Sequence, residues 1–253
     1  MASAGALDLR GVSKQFGETV ALAPTDLSIE PGTFVSIVGP SGCGKSTLFN
    51  VIAGLLTPDR GNVLVGDTDV TGATGHVGYM LQKDLLVPWR TVLGNITLGA
   101  RLTRRVTASD KAQATEFATK YGLGDFLDHY PGSLSGGMRQ RVALMRTLAL
   151  NQPLLLLDEP FGALDAQTRF DMQQWLLQVW RDSQRTVLFI THDVDEAVFL
   201  SDRVLVMSPR PGRVVDDLTI NLPRPRTLET LTSPEFTALK ATILRQLHAE
   251  RVQ

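Results

Sequence analysis

The chain has 253 residues, 43% of them hydrophobic, which is enough for one substantial core and a subdomain. A formal net charge of −1 excludes a global basic field for nucleic acid or an acidic lipid surface and leaves only local patches. Cys43 is the only cysteine, so no intramolecular disulfide forms, and a reducing compartment fits.

The N-terminal MASAGALDLR lacks the basic-then-apolar order of a secretory signal. The longest charge-free run, 14 residues from Pro31 to Gly44, is broken by Gly and Pro, whereas a membrane span needs about 20 apolar residues. A soluble chain is expected, and any membrane crossing would belong to another polypeptide. The first 35 residues alternate short apolar and polar runs between turn signals at Gly17, Pro24 and Pro31–Gly32, which predicts an antiparallel sheet.

Thr33 to Val38 (TFVSIV) reads as a buried strand and Ser46 to Ala53 (STLFNVIA) as the start of a helix. Between them lies GPSGCGKST: Gly39, Pro40, Ser41, Gly42, Cys43, Gly44, Lys45, Ser46 and Thr47. Such a strand–turn–helix lets main-chain N–H groups converge on a polyphosphate at the helix N-terminus, with Lys45 reaching the β- and γ-phosphates and the Ser46 hydroxyl placed for Mg²⁺. The pattern arises by chance in roughly one chain in a thousand, so the loop is read as a nucleotide site.

Further on, TPDRGNVLVGDTDV predicts a hairpin and VGYM (Val77 to Met80) a strand. Residues 84 to about 152 carry the charged, glycine-separated texture of a helical insertion. Short apolar runs then return at Leu154 to Leu157, Val187 to Ile190 and Val204 to Met207, as expected for strands buried on both faces. Three of these runs end at polar side chains: Gln82, then Asp158 with Glu159, then His192. Ligands of open parallel sheets bind beyond the carboxyl ends of the strands, so these residues should gather at the phosphate loop. Ser135, Gly136 and Gly137 of LSGGMRQR form a second glycine-rich turn, opening a helix whose core face would include Val142, Met145 and Leu148 or Ala149.

Taken together, GPSGCGKST, Gln82, LSGGMRQR, LLLLDEP, GALD (Gly162 to Asp165) and His192 in THD resemble the ATP-binding subunit of an ATP-binding cassette (ABC) transporter, over Val12 to about Gly212. The resemblance implies an α/β fold: a P-loop NTPase core with a mainly parallel sheet, an N-terminal antiparallel β subdomain and a helical insertion. It implies a nucleotide-binding domain over 1–215 with the helical subdomain at about 84–152, and a tail over 216–253 too short for a regulatory domain. The implied cofactors are ATP and Mg²⁺. Phe16 would stack on adenine, packing in the sheet core being the alternative for that ring. Asp158 and Ser46 would hold the metal, with Gln82 on metal and attacking water. Glu159 would act as general base or polarise the water, and His192 would bond the γ-phosphate and orient Glu159.

By the same resemblance two copies would close head to tail, Ser135, Gly136 and Gly137 of one capping the γ-phosphate of the other and Asp165 coupling the sites. Met138 replaces the Gln often found in LSGGQ and cannot make its amide hydrogen bonds. QKDLLVPWRTVLGNITLG (Gln82 to Gly99) offers an apolar patch, read either as the dock for a transmembrane permease or as internal packing of the helical subdomain. LLVPW and THDVDEAVFLSDRVLVMSPRPGRV most resemble importers of nitrate, sulfonates, taurine or pyrimidine precursors. That branch implies work on the cytoplasmic face of the membrane, indirectly with a solute-binding protein and without nucleic acid. The competing readings are a soluble ABC ATPase of DNA repair, which usually carries long coiled coils, and an assembly scaffold.

Overall fold

The computed structural model describes residues 6–252, side chains excepted at 103, 251 and 252, so residues 1–5 of the N-terminal stretch and Gln253 of the expected tail lie outside the described residues. β1 (Leu7–Phe16) and β2 (Thr19–Ile29) pair antiparallel around Gly17, and β3 (Phe34–Val38) comes after the Pro31–Gly32 turn. After α1 (Lys45–Ile52), the hairpin of β4 (Arg60–Val65) and β5 (Thr68–Asp69) joins the first sheet, in the order β2-β1-β4-β5. β6 (Gly78–Met80) leads into four helices, α2 (Val92–Ile96), α3 (Leu98–Thr103), α4 (Ala108–Lys120) and α5 (Gly136–Leu148). The chain then alternates β7 (Leu154–Asp158), α6 (Ala166–Ser183), β8 (Thr186–Ile190), α7 (Val194–Leu200) and β9 (Arg203–Met207), and closes with β10 (Val214–Thr219) and α8 (Pro234–Val252).

The second sheet runs β10-β9-β3-β8-β7-β6, parallel except for β10. Its inner strands are buried at nearly every position because both faces are covered, which is why they read as unbroken apolar runs. Alternate residues serve two separate cores. Val35, Ile37, Leu154, Leu156, Leu188 and Ile190 pack with α1 and the antiparallel sheet. Phe34, Val38, Leu155, Leu157, Val187 and Phe189 pack with the helices on the other side. The face of α5 is settled the same way: Val142, Met145 and Leu148 are buried while Ala149 is exposed.

Helix starts are set by local chemistry. Thr107 and Asp110 form a capping box on α4, and Ser135, Asp165 and Asp193 cap α5, α6 and α7 with side-chain oxygens. α1 is different, since its N-cap is Gly44 at φ 110 with no side-chain cap, so its leading N–H groups stay free for another acceptor.

β10 runs across the expected boundary at 215/216, and the segment after it packs back onto the core. Phe236 and Ile243 of α8 are buried against the helical side of the sheet. Arg226 is 2% exposed and donates through Nη1 to the carbonyls of Val198, Phe199 and Ser201 at 2.8–2.9 Å, so a guanidinium closes the C-terminal end of α7. Burial lowers its pKa to about 10. Arg226→Met should remove the donor to three buried carbonyls and cost about 2–4 kcal/mol. Arg224→Ala, which loses a partly exposed pair with Asp202 (2.7 Å), a bond to the Leu200 carbonyl and a stack on Trp180 but leaves no buried carbonyl cluster unpaired, should cost less, about 1–2 kcal/mol. Urea unfolding of both variants checks the contrast, and equal losses would contradict it.

Candidate active site

Four adjacent strands, β3, β8, β7 and β6, end on the same edge of the parallel sheet, because parallel pairing in register brings their carboxyl ends together. Groups far apart in sequence therefore become neighbours in space: the phosphate loop after Val38, His192 beyond Ile190, Asp158 and Glu159 at the end of β7, and Gln82 beyond Met80.

The phosphate loop winds around its own lysine. Lys45 is 8% exposed, and its Nζ donates to the carbonyls of Gly39 (2.8 Å) and Pro40 (3.0 Å), which fixes the ammonium at the mouth of α1. Cys43 is buried and packs with the core beneath the loop rather than facing outward. A Cβ at Gly44 would stand 2.7 Å from the carbonyl of Ala21 on β2, so only glycine fits that turn. The loop is braced from behind by the segment between β9 and β10: Arg210 donates to the Gly42 carbonyl (3.0 Å), and Gly212 exchanges main-chain hydrogen bonds with Ala21 and Ala23.

Asp158 is buried, and its carboxyl is held above the usual range by desolvation, with the Glu159 charge adding to it, while the Ser46 and Tyr79 hydroxyls and Lys45 offset only part of the rise. Tyr79 stands 3.5 Å from Asp158 Oδ2, and its own phenol is held well above the usual range by burial and by that carboxylate. Among the described residues no cluster of three or more His, Cys, Asp or Glu side chains could cage a metal. Ser46 and Asp158 offer hard oxygens, and a desolvated carboxylate gains from a nearby cation. This donor set fits Mg²⁺, which characteristically takes one or two protein oxygens and completes its shell with phosphates and water.

Glu159 is the meeting point of the remaining groups. Its Oε2 lies 3.0 Å from His192 Nδ1 and accepts from Gln82 Nε2 at 3.4 Å, so one carboxylate oxygen at the end of β7 gathers side chains from beyond β8 and β6. Glu159 also adopts φ 44, a left-handed conformation that costs a non-glycine residue on the order of 1–2 kcal/mol, and its N–H is held by the Ile190 carbonyl at 2.9 Å. A carboxylate on a rigid turn, next to a phosphate loop and touched by an imidazole, can take a proton from a water positioned there.

Two groups of the expected site residues stand apart from this cluster. Ser135 Oγ accepts from Met138 N–H (3.2 Å) and so caps its own helix, and none of the hydrogen bonds of Ser135, Gly136 or Gly137 goes to the phosphate loop of the same chain. Met138 packs against the helical core. Phe16 ends β1 with half of its surface exposed and Lys14 Nζ 5.7 Å from its ring, which excludes the alternative of core packing. In LLVPW the two readings divide by residue: Leu86 is 8% exposed and belongs to the core, whereas Leu85 and Trp89 are exposed, Trp89 at 77%. Arg146 holds the carbonyls of Asp84 and Leu85, and Arg139 pairs with Asp84, so this segment is fastened to α5. Tyr79, Arg210 and Gly212 were not singled out by the sequence. Tyr79 had a signal in its alternation with buried Met80 along β6; Arg210 and Gly212 had none, since they meet the loop from about 170 residues away.

Comparison with known proteins agrees with this geometry. A family model described as ABC transporter matches residues 22–162. A putative ATP-binding protein of Brucella abortus is 44% identical over 247 residues, covering 98% of this chain and 95% of its own. The taurine import ATP-binding protein TauB of Yersinia pestis is 41% identical over 251 residues, covering 97% and 98%. Among solved structures, the ATP-binding cassette MJ0796, a dimer bound to ADP and Pi, superposes with a TM-score of 0.73 at 31% identity, over 85% of this chain and 99% of that one. The cbiO1 protein of Clostridium perfringens, at 24% identity and a TM-score of 0.79 over 97% of this chain and 98% of that one, shares the fold. The chain belongs to the ABC transporter family. It is an ATP-binding subunit of that class, an ATPase whose hydrolysis is coupled to transport, and neither DNA repair nor a scaffold role finds support.

Gly212 gives the site a mechanical test. A Cβ there would fall 1.9 Å from the Cys43 carbonyl, so Gly212→Ala should push the phosphate loop out of place, cost about 1–3 kcal/mol of stability and weaken ATP binding. Equilibrium binding of a nucleotide analogue beside thermal denaturation checks this; unchanged affinity would show that the segment after β9 does not set the loop.

Proposed function

We propose that this chain is the motor subunit of an importer for small sulfonate-type anions such as taurine. The observation that carries the reading is the 41% identity with the Yersinia pestis taurine import ATP-binding protein, spread over nearly the full length of both chains. In this reading two copies close head to tail on the cytoplasmic face of the membrane, beneath transmembrane permease subunits that receive solute from a solute-binding protein, and nucleic acid takes no part. The nucleotide-binding domain carries its helical subdomain at about 84–152, and the 216–253 tail packs back on it through Phe236 and Ile243 of α8. Exposed Leu85 and Trp89 supply the surface for the permease, and the buried Leu86 anchors the segment that presents them.

Hydrolysis is divided among several residues of this chain. The main-chain N–H groups of the loop from Gly39 to Thr47 and Lys45 Nζ bind the β- and γ-phosphates, and Phe16 stacks on adenine. Ser46, Asp158 and Gln82 hold Mg²⁺, which when bound neutralises charge on the phosphates. Glu159 accepts a proton from the attacking water. His192 holds Glu159 through Nδ1 and, when doubly protonated, donates through Nε2 to a phosphate oxygen. Ser135, Gly136 and Gly137, which are not spent on their own chain's phosphate loop, serve the phosphate bound by the other copy, and Asp165 links the two sites.

Glu159→Gln should lower ATP turnover by about 10²-fold or more, since the amide keeps the side chain's shape and cannot take the proton. The variant should then persist as a dimer with ATP and Mg²⁺ in size-exclusion chromatography, and adding Ser135→Arg should abolish that dimer. Turnover at the unmodified rate would remove Glu159 from the role of base, and equal dimerisation of the single and double variants would rule out the head-to-tail site.

Trp89→Asp should abolish taurine uptake in cells while ATP hydrolysis by the purified chain stays within about twofold, because a charge enters the docking surface and the core is untouched. Uptake that survives this substitution would place the permease elsewhere.

A further inference from the structure

His192 is 65% exposed at its side chain, and its ring has one hydrogen-bond partner among the described residues, Glu159. Its aim must therefore be set by the residues on either side, and both are pinned. Thr191 is buried and its hydroxyl donates to Glu196 Oε2 at 2.6 Å; Asp193 donates its N–H to Thr191 Oγ1 and caps α7 through Oδ1. Glu196 is buried and also accepts from Gln173 on α6 at 3.2 Å.

Arg169, one turn into α6, reaches all of this. Its Nη1 lies 3.5 Å from Asp193 Oδ2, and its Nε, itself buried and without a hydrogen bond among the described residues, lies 3.7 Å from Glu196 Oε1. Through Nη2 it donates to the Leu164 carbonyl at 2.9 Å, inside the GALD turn and next to Asp165, the N-cap of the same helix. One planar guanidinium thus holds two turns that are far apart in sequence, and it is the only cation paired with Glu196 among the described residues. A shift of the GALD turn would drag this fork, and the fork bears on the residue after His192 and on the carboxylate that holds the residue before it.

We propose that Arg169 is a positioning residue that ties the GALD turn to the His192 turn, so that the approach of a second copy at Asp165 sets where His192 meets Glu159. The inference rests on the roles proposed above for His192 and Asp165. Arg169 touches neither the phosphate loop nor Lys45, so its loss acts on turnover and not on nucleotide affinity.

Steady-state ATP hydrolysis by the full chain with Mg²⁺ tests it, using Arg169→Ala, Asp193→Asn, His192→Ala and the double variant Arg169→Ala with His192→Ala. Arg169→Ala is expected to lower kcat about tenfold with KM within about twofold, and to add nothing in the His192→Ala background, since two residues acting through one path are not additive. Asp193→Asn keeps the Oδ1 acceptor that caps α7 but loses the charge facing Arg169, so it should show the same split; it carries the test alone should Arg169→Ala lack a cooperative thermal transition. A kcat within twofold of the unmodified chain in the folded variants overturns the proposal. So does a full tenfold loss on top of His192→Ala, which would mean that Arg169 acts by another route. If His192→Ala itself turns over at the unmodified rate, the assignment of His192 fails; if it is slow while Arg169→Ala is normal, only the coupling fails.

Discussion

The site depends on β3 lying in register between β8 and β9, with β7 and β6 continuing the same sheet. A parallel sheet cannot leave a face in water here, because every inner strand is apolar at successive positions and sends alternate side chains to opposite sides. Covering both faces fixes the strand register, since a slip of one residue would exchange the two cores. That register in turn aligns the strand ends, and the ends carry the chemistry. The phosphate loop, Asp158, Glu159, His192 and Gln82 are thus close together as a result of core packing, without needing contacts of their own to assemble them.

The most constrained point of the cluster is Glu159. It has two side-chain neighbours on one oxygen and a left-handed backbone that glycine would adopt with less strain. A residue kept in an unfavourable conformation at the centre of a cluster fits a position chosen for what its carboxylate does. The strain is borne by main-chain bonds on both sides of Glu159, its N–H to the Ile190 carbonyl of the neighbouring strand and its carbonyl to the Gly162 N–H, so the geometry of the acid is secured by the sheet and the turn together.

Much of this architecture was legible in the chain because the deciding signals are local. Strands buried on both faces announce themselves as short apolar runs, the phosphate loop is contiguous, and the polar residues that end the runs mark the ligand edge. The gathering of Gln82, Glu159 and His192 was implied by the strand-end rule, and the structure shows it as contacts. What was not legible depends on pairings distant in sequence. Nothing in PRPGRV says that Gly212 will lie against the phosphate loop, or in LPRPR that Arg226 will close α7 from inside the core. LLVPW was ambiguous because a run of apolar residues does not reveal which of them turns inward; Leu86 does, and Trp89 does not. Two of the helices between β6 and β7 also hid their boundaries, since α2 and α3 are only five and six residues long and show no full amphipathic period.

The order of strands has a consequence for how the protein is made. β3 and the phosphate loop after it are translated early, yet the neighbours that bury β3 begin only at Thr186 and Arg203. Until those segments leave the ribosome, the nascent phosphate loop has no sheet behind it, and Arg210 and Gly212, which brace it, come later still. An emerging chain therefore carries the most recognisable nucleotide motif in its sequence while lacking the strands and braces that complete the nucleotide site, since these are the last parallel strands to be made.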